Sequence, residues 1–180
     1  MNKVNPQHII LVRDGVAPSQ VRTVCVPEVN SCIESLKNLN LNCKVTYTLL
    51  NKKTNLKVFM MDNNQNVINA PPGTIIDSKV TSGEFNDFYL IPAKSNQGIA
   101  SSIHYQIIYD DAKFSDDQFH SLMYKLCFLY YNWTGSIKVP APCQYAKKLA
   151  SLLGDKLSDK RSLFLPNSRF SQNLKSLYYL

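Results

Sequence analysis

The sequence has no long hydrophobic run, no amino-terminal leader pattern and no stretch of low complexity. No window approaches the roughly 18 uninterrupted apolar residues that predict a membrane-spanning helix. Residues 1–6 lack the apolar core of a secretory signal peptide. Because 44% of the 180 residues are hydrophobic, we expect one globular domain with its own core and no association with membranes.

Cysteine is scarce and scattered. The five cysteines form no Cys-x-x-Cys pair and have no neighbouring histidine, which argues against a structural zinc site and a Cys–His nucleophile. An odd count without a leader predicts reduced thiols inside the cell, in the cytoplasm, the nucleus or both. A Gly-x-Ser-x-Gly elbow, the mark of many serine hydrolases, is also missing.

Positive charge is abundant and unevenly placed. The net charge is +7, and the residues from Lys138 onward hold eight basic residues against two acidic ones, a surplus of six. Such a concentration favours a polyanionic partner. The lysines within residues 156–175 are also typical of a solvated tail, whereas Lys138, Lys147 and Lys148 are embedded among apolar residues.

The hydrophobic pattern predicts a mixed sheet with flanking helices, an α/β fold. Strands are expected near residues 7–13, 44–50, 56–61, 74–80, 87–92 and 103–109. Amphipathic helices are expected from Pro27, behind the Ser115-Asp116-Asp117-Gln118 capping box, and from Pro140 and Pro142 to Gly154. We expect a loop at residues 62–66 and a polar linker at residues 155–172 before the apolar tail.

The run Arg13-Asp14-Gly15-Val16 follows four apolar residues and therefore places a carboxylate at the tip of a buried strand. A carboxylate at the edge of an α/β sheet is a common ligand for a divalent metal. Asp-Gly is also a frequent turn dipeptide, and on these four residues alone a turn is favoured.

Further motifs follow in order. They are residues 71–77, 87–90, 97–98 with 104–105, 129–133 and 139–150, and the terminal Tyr178-Tyr179-Leu180. Together with the Arg-Asp-Gly-Val run, they resemble the C-terminal part of the PIWI domain of Argonaute proteins. The Tyr-Tyr-Asn-Trp run, the Cys-Gln-Tyr-Ala run and the aromatic tail are similar to the Piwi clade. The resemblance implies an RNase H-like fold whose N-terminal strands are missing. Residues 1–180 would then be a partial PIWI domain from a longer parent with N-terminal, PAZ and MID regions.

In active Argonautes the resemblance implies a magnesium-dependent site built from an Asp, a finger-loop Glu, the Asp of the Arg-Asp-Gly-Val strand and a final Asp or His. Asp14 matches the third group, as a catalytic and metal-binding residue, and Lys147 stands at the last position. The other two groups lie in sequence that this chain does not contain. An ammonium repels a metal ion, so Lys147 is expected to replace a metal charge or to contact phosphate, unless its pKa falls by several units. We expect no RNA cleavage by this chain alone.

The resemblance also implies contacts with RNA. Lys52, Lys53 and Lys57 match the family's basic run along the guide backbone, and lysine acts there as a point charge. Lys138 and Gln144 match positions near the 5′ region of the guide. The carboxylate of Leu180 matches the group that reaches the 5′-phosphate pocket through a metal ion in the Piwi clade.

The favoured hypothesis is an RNA-binding module that holds a small, piRNA-like guide and its target RNA for gene silencing. The alternatives are a guide-dependent endoribonuclease within a longer parent, and an interaction or decoy fragment that binds silencing-pathway proteins without RNA. His104 is interpreted as a structural group on a strand, and Asp110-Asp111 as part of a turn.

Overall fold

The computed structural model describes residues 5–158, except for the side chains of residues 155–158. The strands are β1 (His8–Asp14), β2 (Lys44–Asn51), β3 (Phe59–Met61), β4 (Val67–Asn69), β5 (Ile75–Ile76), β6 (Asn86–Leu90) and β7 (Ile103–Asp110). The helices are α1 (Val26–Asn38), α2 (Asp116–Leu126) and α3 (Ala141–Ser158). A 3₁₀ turn (Pro18–Gln20) and a π-helical turn (Val21–Cys25) lead into α1.

Five of the strands form one mixed sheet in the order β1-β2-β7-β6-β5. The strands β1 and β2 are parallel, and the other neighbours in this sheet are antiparallel. The strands β3 and β4 form a separate hairpin. The predicted mixed sheet with flanking helices is confirmed. None of the described helices combines the length and the hydropathy needed to cross a bilayer.

One face of the sheet packs against α2. Phe88 of β6 and Tyr105 of β7 are fully buried and their rings stack with centroids 4.9 Å apart. Phe119 and Met123, one turn apart on α2, close this cluster. Burying a side chain of this size contributes roughly 1.5–3 kcal/mol, so this cluster is a main source of the domain's stability.

The opposite face packs against α1. Tyr47 and Leu49 of β2 are buried against Val29 of α1 and against Val21 and Cys25 of the preceding turn. Six consecutive residues of β2 are buried because helices cover both faces of the sheet at this strand. The parallel pair β1–β2 is therefore fixed in place, and so is the edge at which both strands end.

The helix starts follow the sequence pattern. The Ser115 hydroxyl accepts a hydrogen bond from the Gln118 backbone N–H at 3.3 Å, and the Gln118 side chain accepts one from the Ser115 N–H at 3.2 Å. The predicted capping box is therefore confirmed. Pro27 lies in the first turn of α1, where its missing N–H costs no helical hydrogen bond.

Several predicted boundaries are wrong. The expected end of the last helix at Gly154 is overturned, because α3 continues to Ser158 and includes the first residues of the predicted linker at 155–172. The rest of that linker lies outside the described residues. The strand β1 was expected to be buried, yet none of its residues is fully buried, since it has a neighbouring strand on one side only.

The β3–β4 hairpin differs most from the prediction. The strand expected at 56–61 begins only at Phe59, the strand expected at 74–80 shrinks to Ile75–Ile76, and Val67–Asn69 was missed. The hairpin is closed by Asp62, whose Oδ1 accepts hydrogen bonds from the N–H groups of two residues in the predicted 62–66 loop, each at 2.8 Å. Its apolar side chains are exposed. Because they do not pack in a core, the sequence shows no alternation of apolar and polar residues from which the hairpin could have been predicted.

Candidate nucleic-acid interface

Asp14 lies where two parallel strands end. Residues of β1 and β2 pair in register, with Asp14 beside Leu50, so both strands reach the same edge of the sheet. Gly15 follows with φ +81°, in the left-handed region that side chains rarely adopt, and turns the chain away from β1. Lys52 and Lys53 follow the end of β2. The parallel register therefore brings together residues that are 38 positions apart in the sequence.

Asp14 forms an ion pair with Lys52. The Lys52 Nζ donates a hydrogen bond to Asp14 Oδ2, and the two side chains are 38% and 33% exposed, respectively. Arg13 does not pair with this carboxylate, since its guanidinium Nε donates to both oxygens of Glu28 at 3.2 Å and its Nη1 donates to the Asp14 backbone carbonyl at 3.0 Å. Among the described residues, the cation paired with the Asp14 carboxylate is therefore Lys52.

A cleft of about 620 Å³ opens at this edge, and we call it the strand-end cleft. Its lining consists of Asp14, Gly15, Val16, Ala17, Pro18, Asn51, Lys52 and Lys53. This lining contains two ammonium groups and one carboxylate. The strand-end cleft is therefore suited to an anion with several oxygens, such as a phosphate.

A second cavity, of about 410 Å³, lies between β1 and α3, and we call it the β1–α3 cavity. Its lining is Val12, Arg13, Asp14, Cys143, Ala146, Lys147 and Ala150. Asp14 belongs to both linings, so it separates Lys52 and Lys53 on one side from Lys147 on the other. The structure thus brings together the two residues predicted as catalytic, Asp14 and Lys147.

Cys143 is the group in the β1–α3 cavity with a clearly perturbed pKa. The pKa of the Cys143 thiol is raised to about 11, mainly by burial and also by the charge of Asp14, while the charge of Lys52 lowers it. The thiol lies 3.9 Å from the Val12 carbonyl oxygen and points a weak donor towards it. Cys143 is therefore a protonated thiol at neutral pH, and its pKa responds to the charges of both Asp14 and Lys52.

The segment after β2 is fixed by hydrogen bonds to the start of β7. The Thr54 hydroxyl donates to the Ser102 carbonyl oxygen at 3.0 Å, and the Ser102 hydroxyl donates to the Leu56 carbonyl oxygen at 3.0 Å. Lys53 and Lys57 lie on this anchored segment with exposed side chains. The predicted basic run is consequently presented to solvent from a backbone that is held in place.

The remaining predicted RNA contacts are elsewhere. Lys138 is exposed just before α3, and Gln144 is half-buried in its first turn. Neither lines the strand-end cleft or the β1–α3 cavity. Leu180, predicted to bind RNA and metal, lies outside the described residues. These three assignments stay predictions.

The donor set around Asp14 does not fit a magnesium ion. Within residues 5–158, no three His, Cys, Asp or Glu side chains lie close enough together to hold a metal. Magnesium requires near-octahedral oxygen ligands, and Asp14 supplies one carboxylate that is already paired with Lys52. The thiol of Cys143 is a soft and protonated group. The magnesium ion implied by the resemblance stays a prediction, and its site would need ligands in addition to Asp14.

Two structural interpretations from the sequence are confirmed. The His104 Nε2 lies 2.6 Å from Asp87 Oδ2, and its ring stacks on Tyr89 with centroids 4.3 Å apart. Asp110 closes a turn, since its carboxylate accepts from the N–H groups of Ala112 and Phe114 at 3.1 Å. These polar groups hold the fold together.

The residue that the sequence analysis missed is Cys143. It was not among the candidate site residues, yet it lines the β1–α3 cavity together with Asp14. The spacing of Cys143, Lys147 and Ala150 is i, i+4, i+7, which places all three on one face of a helix. That spacing is the signal that could have identified it.

An open mixed sheet with helices on both faces, and polar groups at the carboxyl ends of its parallel strands, is the arrangement expected of an RNase H-like α/β domain. Residues 1–158 match the model of the Piwi domain family. The chain therefore belongs to the Piwi domain family. Piwi-like protein 1 of Gallus gallus is 37% identical over 99% of this chain and 20% of its own length.

Solved structures agree with this assignment. The crystal structure of Drosophila Piwi superposes with a TM-score of 0.74 at 39% identity, over 83% of this chain and 21% of that one. Kluyveromyces polysporus Argonaute with a guide RNA gives a TM-score of 0.70 at 27% identity, over 81% and 19%. The predicted Piwi-clade resemblance and RNase H-like fold are confirmed. The chain spans about a fifth of the length of these relatives.

Proposed function

We propose that this chain is the RNA-binding PIWI portion of a Piwi-type Argonaute and holds a small guide RNA and its target by their phosphates. The observation that carries the proposal is the strand-end cleft, in which Lys52 and Lys53 lie beside each other at the end of β2. Lysine ammonium groups neutralise phosphates and release counterions, which supplies binding free energy without reading sequence.

Lys57 extends the same basic surface along the anchored segment. Because Thr54 and Leu56 are both bonded to Ser102, little backbone entropy is lost when a phosphate binds. Ammonium groups make no bidentate contact with bases, so sequence selection is left to base pairing by the guide. Binding by this surface is therefore expected to be sensitive to salt and indifferent to sequence.

The proposal also includes the class of guide RNA. The relatives include Piwi-like proteins, and one similar solved structure is an Argonaute with a guide RNA. We assign a piRNA-like guide on that basis, with Lys138, Gln144 and the Leu180 carboxylate near its 5′ end. Silencing-pathway proteins are proposed as further partners, in the cytoplasm or the nucleus. The alternative of magnesium-dependent slicing belongs to a longer parent protein, and no described contact favours it here.

A lysine footprint tests the proposed function directly. The 180-residue chain is treated with a trace acetylating reagent, alone and with single-stranded RNA, and the modified peptides are quantified by mass spectrometry. We expect RNA to protect Lys52, Lys53 and Lys57. Lys37 and Lys94 are also exposed, lie outside the strand-end cleft, and serve as internal controls. Equal protection of the controls, or none at the three lysines, would overturn the proposal.

A further inference from the structure

We propose that Lys52 is the built-in counter-ion of Asp14 and occupies the carboxylate to which the family resemblance assigns a metal ion. The strand-end cleft of this chain would then receive a phosphate and not a divalent cation. In this arrangement Asp14 partly neutralises the Lys52 ammonium at the mouth of the cleft. The ion pair stands on geometry alone, and only its phosphate ligand rests on the proposed function.

The geometry of the pair is set by the backbone on both sides. Asp14 is the last residue of β1, and Gly15 turns the chain immediately after it. Lys52 comes directly after β2, two residues beyond the register partner of Asp14. The chain that follows is tied to β7 through Thr54. Both partners are therefore held by fixed strands, and the contact needs only the lysine side chain to be ordered.

The same contact works against a divalent cation. A metal ion at Asp14 would have to share the carboxylate with an ammonium that already donates to Oδ2. Lys53 in the strand-end cleft and Lys147 in the β1–α3 cavity add positive charge on the two sides of Asp14. Among residues 5–158, no further carboxylate lies close enough to form a shared site. Replacing Lys52 should therefore expose Asp14 to cations.

The access of cations to Asp14 can be measured without RNA, from the paramagnetic relaxation that Mn²⁺ causes in nuclear magnetic resonance spectra. Trace Mn²⁺ broadens the amide signals near any carboxylate that it visits, even when binding is weak. In the wild-type chain, Gly15 and Val16 should broaden no more than residues beside the exposed Asp117. In Lys52→Met they should broaden at least several-fold more. Lys53→Met is the matched control, because it removes the same charge one residue away without touching Asp14, and it should stay close to wild type.

Three results would overturn the ion-pair proposal. The first is selective broadening at Gly15 in the wild-type chain, which would show that a cation reaches Asp14 despite Lys52. The second is no increase in Lys52→Met, which would show that Lys52 is not what excludes the cation. The third is an equal increase in broadening in Lys52→Met and Lys53→Met, which would show that the effect depends only on net charge.

RNA binding measured in the presence of a metal chelator tests the counter-ion role. Asp14→Asn frees the Lys52 ammonium and removes a negative charge from the strand-end cleft, so its affinity for single-stranded RNA should rise about three-fold or more. Glu34→Gln on α1 removes the same charge at a residue outside the lining of the cleft and should change the affinity less than two-fold. Weaker binding by Asp14→Asn would contradict the counter-ion role. A complete lack of RNA binding by all variants would instead refute the proposed function, while the manganese experiment would still decide the ion pair.

Discussion

His104 and Asp87 form a buried hydrogen-bonded pair between neighbouring strands, with His104 Nε2 2.6 Å from Asp87 Oδ2. Asp87 is only 3% exposed and also accepts from the backbone N–H of Ser82 at 3.2 Å. The pair links β6, β7 and the segment before β6. A histidine in such a domain invites a catalytic role, but these contacts assign His104 to stability.

Replacing His104 with alanine should lower the free energy of unfolding by roughly 2–4 kcal/mol, because the Asp87 carboxylate loses its partner while it stays buried. Urea denaturation followed by circular dichroism measures the change. His104→Gln, which keeps a donor, should lose less. The RNA affinity of the folded protein should not change. A loss of RNA binding without a loss of stability would show that His104 contacts the ligand.

Gly15 and Gly154 should respond oppositely to alanine. Gly15 has φ +81°, so Gly15→Ala should destabilise the protein by about 1–2 kcal/mol. Gly154 lies within α3, where alanine is the better helix former, so Gly154→Ala should stabilise by up to roughly 1 kcal/mol. An added Cβ meets no atom within 4 Å at either position, so the two substitutions differ in backbone conformation and not in steric clashes. Thermal unfolding of both variants measures the change in Tm. Equal changes in Tm would contradict the left-handed turn at Gly15.

Cys143 should alkylate slowly at ordinary pH. Its pKa of about 11 leaves roughly one thiol in a thousand as the reactive thiolate at pH 8. Because the raised pKa favours the protonated form, labelling should accelerate as the pH rises towards 11. Asp14→Asn should lower the pKa and speed labelling at pH 9, whereas Lys52→Met should slow it. Peptide-resolved mass spectrometry gives the rates, and rates that ignore both substitutions would contradict the charge arrangement.

The 180-residue chain should not cleave RNA in the presence of magnesium. Two-metal hydrolysis needs several anionic oxygens close together, and the described residues offer Asp14 alone, paired with Lys52. The measurement is a gel assay with a labelled RNA and a complementary guide, comparing the wild-type chain with Asp14→Ala. Magnesium-dependent cleavage by the wild-type chain that Asp14→Ala abolishes would contradict the expectation.

The sequence predicted the position of Asp14 but not its partner. A continuous apolar run followed by Asp-Gly is sufficient to place a carboxylate at a strand end, and β1 does end at Asp14. The partner depends on the parallel pairing of β1 with β2, a long-range property that no local pattern contains. The sequence therefore directed attention to Lys147 as the cation near Asp14, whereas Lys52 makes the ion pair.

Elements with buried faces were predicted well, and exposed elements were not. The capping box and the amphipathic pattern behind it predicted α2, because burial imposes a helical period. Met61 and Val67 of the β3–β4 hairpin are 65% and 69% exposed, so their pattern does not reflect a core. The end of α3 was misplaced at Gly154 because a glycine that suits a helix end is also tolerated inside a helix.

The central claim is that the lysines after β2 bind RNA phosphates, and the salt dependence of binding tests it most directly. Fluorescence anisotropy with single-stranded RNA gives the slope of log K against log salt for the wild-type chain and for a triple variant with Lys52, Lys53 and Lys57 changed to methionine. A second triple variant changes the exposed Lys37, Lys94 and Lys125, which lie outside the strand-end cleft. Both variants lose three charges.

Each lost phosphate contact flattens the single-strand slope by about 0.7. The strand-end variant should therefore flatten it by roughly two units, and the control variant should leave it nearly unchanged. Equal slopes for the wild-type chain and the strand-end variant would contradict the claim, and so would equal flattening by both triple variants.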